Sequence, residues 1–305
     1  GSGRGAEASL RGFDATAAIV GTTEALETAE SAARPDVEGL PAELQDVLSH
    51  GHDRVVDFQD PAYGELYLER AARIIDAGNA EDHQSLAAMI EACRRLALWM
   101  AYEDVARVAD LKTRPARFEK VRQEAQMAPG QMLRVTEYLK PRAEEIADML
   151  PVSLGQRLSD RLAAGKSVPF TGRGLHVRSN GVAGYWLLRL VAGLRRIRRK
   201  SLRYSREQAA IEVWLDTFVA ALPRAPGYAE ALASLPRLRK GYSDTLERGC
   251  RAYDRIMRLI VAADTIDSGG AELLRGAIAA ALADDSHSTL DEFLAENSES
   301  QAEPT

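Results

Sequence analysis

Regular helical spacing of apolar residues begins near residue 58. Tyr63, Leu66, Tyr67 and Ile74 recur at the intervals of one helix face, with Pro61 suited to its first position and Gly78 to its stop. Leu86, Met89, Ile90, Cys93, Leu96, Ala97, Met100, Val105 and Val108 predict one long helix over residues 81–111. Met132, Val135 and Leu139, then Ile146 and Leu150, predict another, kinked at Pro141, and a short helix follows over 153–163. The run AGKSVPFTGRGLHVRSNG, residues 164–181, is the least helical part; its glycines and Pro169 break any long helix, and Val168 and Val177 predict a short strand pair. Leu187, Leu190, Val191, Leu194 and Ile197 return to helical spacing. The capping box S-R-E-Q, with Ser205 as cap and Gln208 at the third position, then starts a helix whose stripe is Ile211, Trp214, Leu215, Phe218 and Leu222. Further helices are predicted over 226–234, 239–266, 270–283 and 287–296.

Strand signals are otherwise sparse, and no repeat of solenoid period stands out. The pattern predicts an all-α fold, a multi-helix bundle around one main core, with an irregular Gly/Pro-rich segment near 164–181. Residues 1–13 read as a helix end. Residues 14–57, weakly periodic, read as a linker with a helical turn around 41–49. Residues 58–283 form the helical domain and 284–305 an acidic tail.

Composition sharpens this picture through its charge. The chain has 305 residues, 46% of them hydrophobic, and a net charge of −6. An acidic chain is a poor general nucleic-acid binder. No apolar run approaches a membrane span and no signal-peptide pattern opens the sequence. Cys93 and Cys250 are far apart and form no CxxC, which excludes a zinc site or iron–sulfur cluster carried by this chain and fits a reducing cytoplasm. The charge is uneven, however. Residues 1–60 carry twelve Asp/Glu against four Arg, residues 264–305 ten against one, and residues 161–206 twelve Lys/Arg with no acid at all. A basic surface in the middle is either covered by the acidic ends or offered to an acidic partner.

That surface centres on LRRIRRKSLRYSREQ, residues 194–208, with Arg195, Arg196, Arg198, Arg199, Lys200, Arg203 and Arg206. On a helical wheel Leu187 to Ile197 form one apolar face, and Arg195, Arg196 and Arg199 fall off it into solvent. Arg198 lies near the Leu187/Leu194 side, so either the helix ends near 198 or Arg198 turns inward to an acidic partner. Cations at a helix C-terminus are favoured by the dipole by about 0.3–1 kcal/mol each, so part of the cluster needs no partner to explain it. Docking of an acidic protein accounts best for the rest. A second basic element, T-G-R-G at 171–174, places Arg173 with His176 and Arg178 as candidates for a phosphate-bearing ligand. It is neither a Walker A motif nor GxGxxG.

No self-contained active site appears. His50 and His52 form H-x-H within the linker without further metal ligands at fixed spacing, and His83 reads as an exposed first-turn residue. Serine, histidine and aspartate occur without a GxSxG context. Trp99, Trp186 and Trp214 lie on apolar stripes, which predicts core packing.

The order of three runs carries a family resemblance. LALWMAYEDVARVADL (96–111), SNGVAGYWLLRLVAGLRRIRRKSLRYSREQAAIEVWL (179–215) and LPRLRKGYSDTLERG (235–249) resemble successive segments of the C-terminal helical domain of the indolepyruvate ferredoxin oxidoreductase beta subunit, in the 2-oxoacid:ferredoxin oxidoreductase family. GRGAEASLRGF (3–13) resembles the end of the γ-type oxidoreductase domain that precedes it. The resemblance implies a portion of a longer subunit, without catalytic residues or metal of its own. The complex would decarboxylate arylpyruvates oxidatively to aryl-acetyl-CoA and pass electrons to ferredoxin. Thiamine diphosphate and iron–sulfur clusters would reside in the partner alpha subunit, CoA would be co-substrate, and neither nucleic acid nor membrane would be a partner. The alternative is a stand-alone helical adaptor that binds an anionic protein or a phosphate-bearing ligand through the basic patch.

Overall fold

A computed structural model describes residues 39–128, 130–140, 142–166, 174–241, 243–263, 266–284 and 288–300. The fold is all-α, with thirteen α-helices and one two-stranded ribbon among the described residues. The chain divides into two compact units. Among the described residues, one unit lies within 104–204 and the other within 39–103 and 205–300.

In the second unit, α1 (Ala42–Phe58) takes up the last part of the stretch read as a linker and extends the helical turn expected around 41–49 into a full helix; residues 14–38 of that stretch lie outside the described residues. The buried positions of α1, Leu44, Leu48, Gly51, His52, Val55 and Phe58, include a glycine and a histidine, which is why the periodicity is weak. Helix α2 (Pro61–Ala77) begins and ends where Pro61 and Gly78 predict, and the Asp60 carboxylate caps it by accepting from the Tyr63 amide at 2.9 Å. Helix α3 (His83–Met100) is capped by Asp82 and stops at Ala101, so the single helix expected over 81–111 is two. The unit continues with α9 (Leu202–Ala221), α10 (Pro226–Ser234), α11 (Ser243–Ala263), α12 (Ser268–Ala283) and α13 (Ser288–Ser300), the last lying within the expected acidic tail. α3 packs on α1 and α10, and α10 on α12. Tyr63, Tyr67, Ile74, Met89, Leu96, Met100, Ile211, Trp214, Leu215 and Phe218 form its fully buried interior.

The first unit holds α4 (Val105–Thr113), α5 (Pro115–Glu124), β1 (Thr136–Leu139), α6 (Ala143–Met149), α7 (Val152–Ala163), β2 (Leu175–Arg178), α8 (Val182–Gly193) and a 3-10 segment (Leu194–Lys200). Thr136–Leu139, expected as helix, instead pairs antiparallel with β2 in the register Glu137↔Val177 and Tyr138↔His176. A four-residue strand exists only through its partner, so nothing local announces it. Val177 is thus a strand residue, as expected, but paired to Glu137; Val168, Pro141 and residues 1–13 lie outside the described residues. The core of this unit is small: Ala109, Val177, Leu188 and Ala192, with Leu139 and Val191 against them.

Candidate interaction surface

The basic stretch starts where α8 gives way to the 3-10 segment, at Gly193. Along this segment Arg195, Arg196, Arg199 and Lys200 are all exposed. Arg198 does the reverse. It is buried, and its guanidinium donates Nε and Nη2 to the two carboxylate oxygens of Asp104 at 2.6 and 2.9 Å. Asp104 also caps α4, accepting from the Arg107 amide at 2.7 Å. Of the predicted partner-binding residues, Arg198 therefore braces the unit from inside, Arg203 is half-buried, and the other four are on the surface.

The helix after the basic stretch starts four residues earlier than S-R-E-Q suggests. Ser201, extended at φ −75° and ψ 154°, accepts from the Tyr204 amide at 3.2 Å, and Leu202 opens α9. Ser205 is exposed inside the first turns. The same Ser201 forms an antiparallel bridge with Pro151, and the Leu202 amide donates to the Leu150 carbonyl at 2.9 Å. The cap is thus set by a contact from a segment fifty residues away, which local sequence does not reveal.

The larger surprise is the face of α8. Its buried residues are Leu188 and Ala192, which meet Ala109 of α4 and Val177 of β2. Gly184 lets the helix approach β2 so closely that a Cβ there would overlap the Arg178 carbonyl oxygen. The small side of the helix therefore faces inward. Leu187, Leu190 and Ile197, expected as a core stripe, are exposed, and so is Trp186, while Trp99 and Trp214 are buried as expected. Beside this face is a cavity of about 380 Å³ lined by Asp110, Trp186, Arg189, Leu190, Arg195 and Arg196. Arg189 reaches Asp110 at 3.4 Å.

The second basic element is less assembled. Arg173 lies outside the described residues. His176 and Arg178, two apart on β2, project to one face of the ribbon and are exposed, with the His176 ring edge-on to Tyr138 at 5.0 Å. Behind the ribbon Glu137 is buried between Lys112 and Arg117, the latter at 2.5 Å. Burial opposes its ionisation, but hydrogen bonds and charge from Lys112 and Arg117 outweigh that and hold its carboxyl below the usual range. His50 and His52 do not converge: two residues apart on α1, they point to opposite sides, His52 buried and His50 exposed with Nδ1 at 2.7 Å from the Asp46 carbonyl. Among the described residues no group of three or more His, Cys, Asp or Glu could hold a metal ion, and no helix is long and apolar enough to cross a membrane.

The other unit holds a buried charge cluster that the sequence pattern does not announce. Glu207 Oε2 accepts from Trp99 Nε1 at 2.7 Å and from Arg239 Nη2 at 3.0 Å. The Arg239 guanidinium lies over the rings of Trp99 and Tyr253 at 5.1 and 5.0 Å. The available signal was a glutamate within an apolar stripe, one residue before the Gln208 that the capping-box reading used.

A family model described as a family of unknown function, DUF6537, matches residues 44–259, well over half of the chain. No curated protein and no solved structure matches it.

Proposed function

The chain belongs to the DUF6537 family, and we propose that it is the non-catalytic helical portion of an arylpyruvate:ferredoxin oxidoreductase beta subunit, working in the cytoplasm to support assembly or partner docking. One observation carries the reading. The three runs that resemble that subunit each contribute one member of the sealed cluster: Trp99 from the first, Glu207 from the second and Arg239 from the third. Three residues, one from each of the ordered runs and the first more than a hundred positions from the other two, meet in one hydrogen-bonded group, which supports reading the runs as parts of one fold. The cluster is closed to solvent, so it braces helices and meets no substrate. Thiamine diphosphate and iron–sulfur clusters are assigned to the alpha subunit, and CoA and ferredoxin to the whole complex.

Co-expression with the large thiamine-binding subunit tests this. A stoichiometric complex with arylpyruvate- and CoA-dependent dye reduction is expected, together with no turnover by this chain alone. Failure to associate would overturn the reading. It would leave the second one, a stand-alone helical adaptor, which the exposed Arg195, Arg196, Arg199 and Lys200 favour.

A further inference from the structure

Helix α8 is the most apolar of the described helices, yet it buries only Leu188 and Ala192. At about 100° per residue, Val182, Ala183, Trp186, Leu187, Leu190 and Gly193 share its other side. That side is open: Val182 is 63% exposed, Trp186 55%, Leu187 48% and Leu190 73%. Eleven of the fifteen exposed large apolar side chains among the described residues belong to the same unit as α8. A helix with its apolar side toward water is the reverse of a surface helix, and an exposed patch of this kind marks an interaction site.

We propose that the outer face of α8, with the cavity at its C-terminal end, docks an acidic protein partner. The partner would present a helix with an apolar row bordered by Asp and Glu. This deepens the docking role proposed above and rests on that reading for the partner's identity, but not for the surface's chemistry. Charge decides the occupant. Every charged residue from 161 to 206 is positive, and Arg189, Arg195 and Arg196 border the cavity beside Trp186 and Leu190; the one acid of its lining, Asp110, is already held by Arg189 and Arg114, so the rim stays cationic. A second copy would bring these cations against themselves. A flat anionic bilayer would satisfy the charges and the apolar row, but would leave the recess beside Trp186 unfilled. An acidic helix satisfies all three: its apolar row covers Val182, Trp186 and Leu190, a side chain enters the recess, and its carboxylates meet the arginines.

Trp186 reports occupancy, because the other two tryptophans are already buried. The full chain is titrated with a synthetic acidic helical peptide carrying leucines at helical spacing between glutamates. Comparison peptides replace its leucines by serine or its glutamates by lysine. Anionic phosphatidylglycerol vesicles are a further probe. Only the acidic leucine peptide should bind saturably, with a blue shift of Trp186 emission and weakening by salt. Leu190→Glu and Arg196→Glu should each weaken it roughly tenfold or more, with helicity and unfolding midpoint retained because these positions are exposed. Equal binding of the serine peptide, or no binding, overturns the proposal. So does preferential capture by vesicles, or self-association that Leu190→Glu abolishes. Assembly with the thiamine-binding subunit, followed in parallel, separates the two claims. Assembly indifferent to Leu190→Glu, with no peptide binding, sinks this inference alone; peptide binding without assembly sinks the functional reading alone.

Discussion

Arg198 and Asp104, ninety-four residues apart, form a two-toothed ion pair in which both side chains are buried. The pair ties the 3-10 segment to the N-terminus of α4, since Asp104 simultaneously caps that helix. One cation in the middle of the basic stretch is thus committed inside the unit, while its neighbours on either side face solvent.

Breaking that pair leaves a buried charge without its partner, which costs about 3–5 kcal/mol. Arg198→Ala should show a loss of this size in urea unfolding. Arg196→Ala, at an exposed position, should stay within about 0.5 kcal/mol of wild type. Equal effects would mean that Arg198 is not inside.

Ser201 caps α9, so Ser201→Ala should cost about 0.5–2 kcal/mol, read as a lowered thermal midpoint. Ser205→Ala should leave the midpoint nearly unchanged. The opposite result would return the cap to S-R-E-Q.

The carboxyl of Glu137 is held below the usual range because Lys112 and Arg117 outweigh the opposing effect of burial. The stability contributed by a depressed acid is fully present above its unfolded value, about 4.3, and is lost as pH falls through the lower folded value. Wild type should therefore exceed Glu137→Gln in unfolding midpoint near neutral pH, and the gap should close on acidification below about pH 4. A gap independent of pH would show that the carboxylate's charge is not what matters.

Burial pushes the Cys93 thiol up to about 12, whereas Cys250 is only partly buried. With an aromatic disulfide reagent near neutral pH, the folded chain should release one equivalent quickly, and the second only on unfolding. Cys250→Ala should abolish the fast phase; survival of that phase would place Cys93 at the surface.

Gly184 permits the approach of α8 to the Arg178 carbonyl. Gly184→Ala should destabilise the chain by about 1–3 kcal/mol in chemical unfolding, despite alanine's better helix propensity. Stabilisation would mean that α8 does not press on β2.

The all-α class and the limits of α2 could be read from the chain alone, because they depend on groups within a few residues of each other. Asp60 reaches an amide three residues on, Pro61 supplies its own φ, and an apolar residue every third or fourth position needs only a helix to form a stripe. What lies against a stripe is a different question. Leu187 and Leu190 have the spacing of a core face, but the small residues of α8 allow the closer approach to α4 and β2, so Leu188 and Ala192 are buried instead. Strand β1 needs β2, thirty-six residues downstream of its last position, to supply its hydrogen bonds. The cap at Ser201 is held where the chain meets Pro151. The wheel already sets Arg198 apart from its neighbours and allows it to turn inward, but the acid that it meets, Asp104, comes from far along the chain. Helix content is a local free energy written into short windows of sequence; which face is buried, which cation is paired and which apolar row is left open are decided by contacts between distant segments, and only the tertiary structure brings those together.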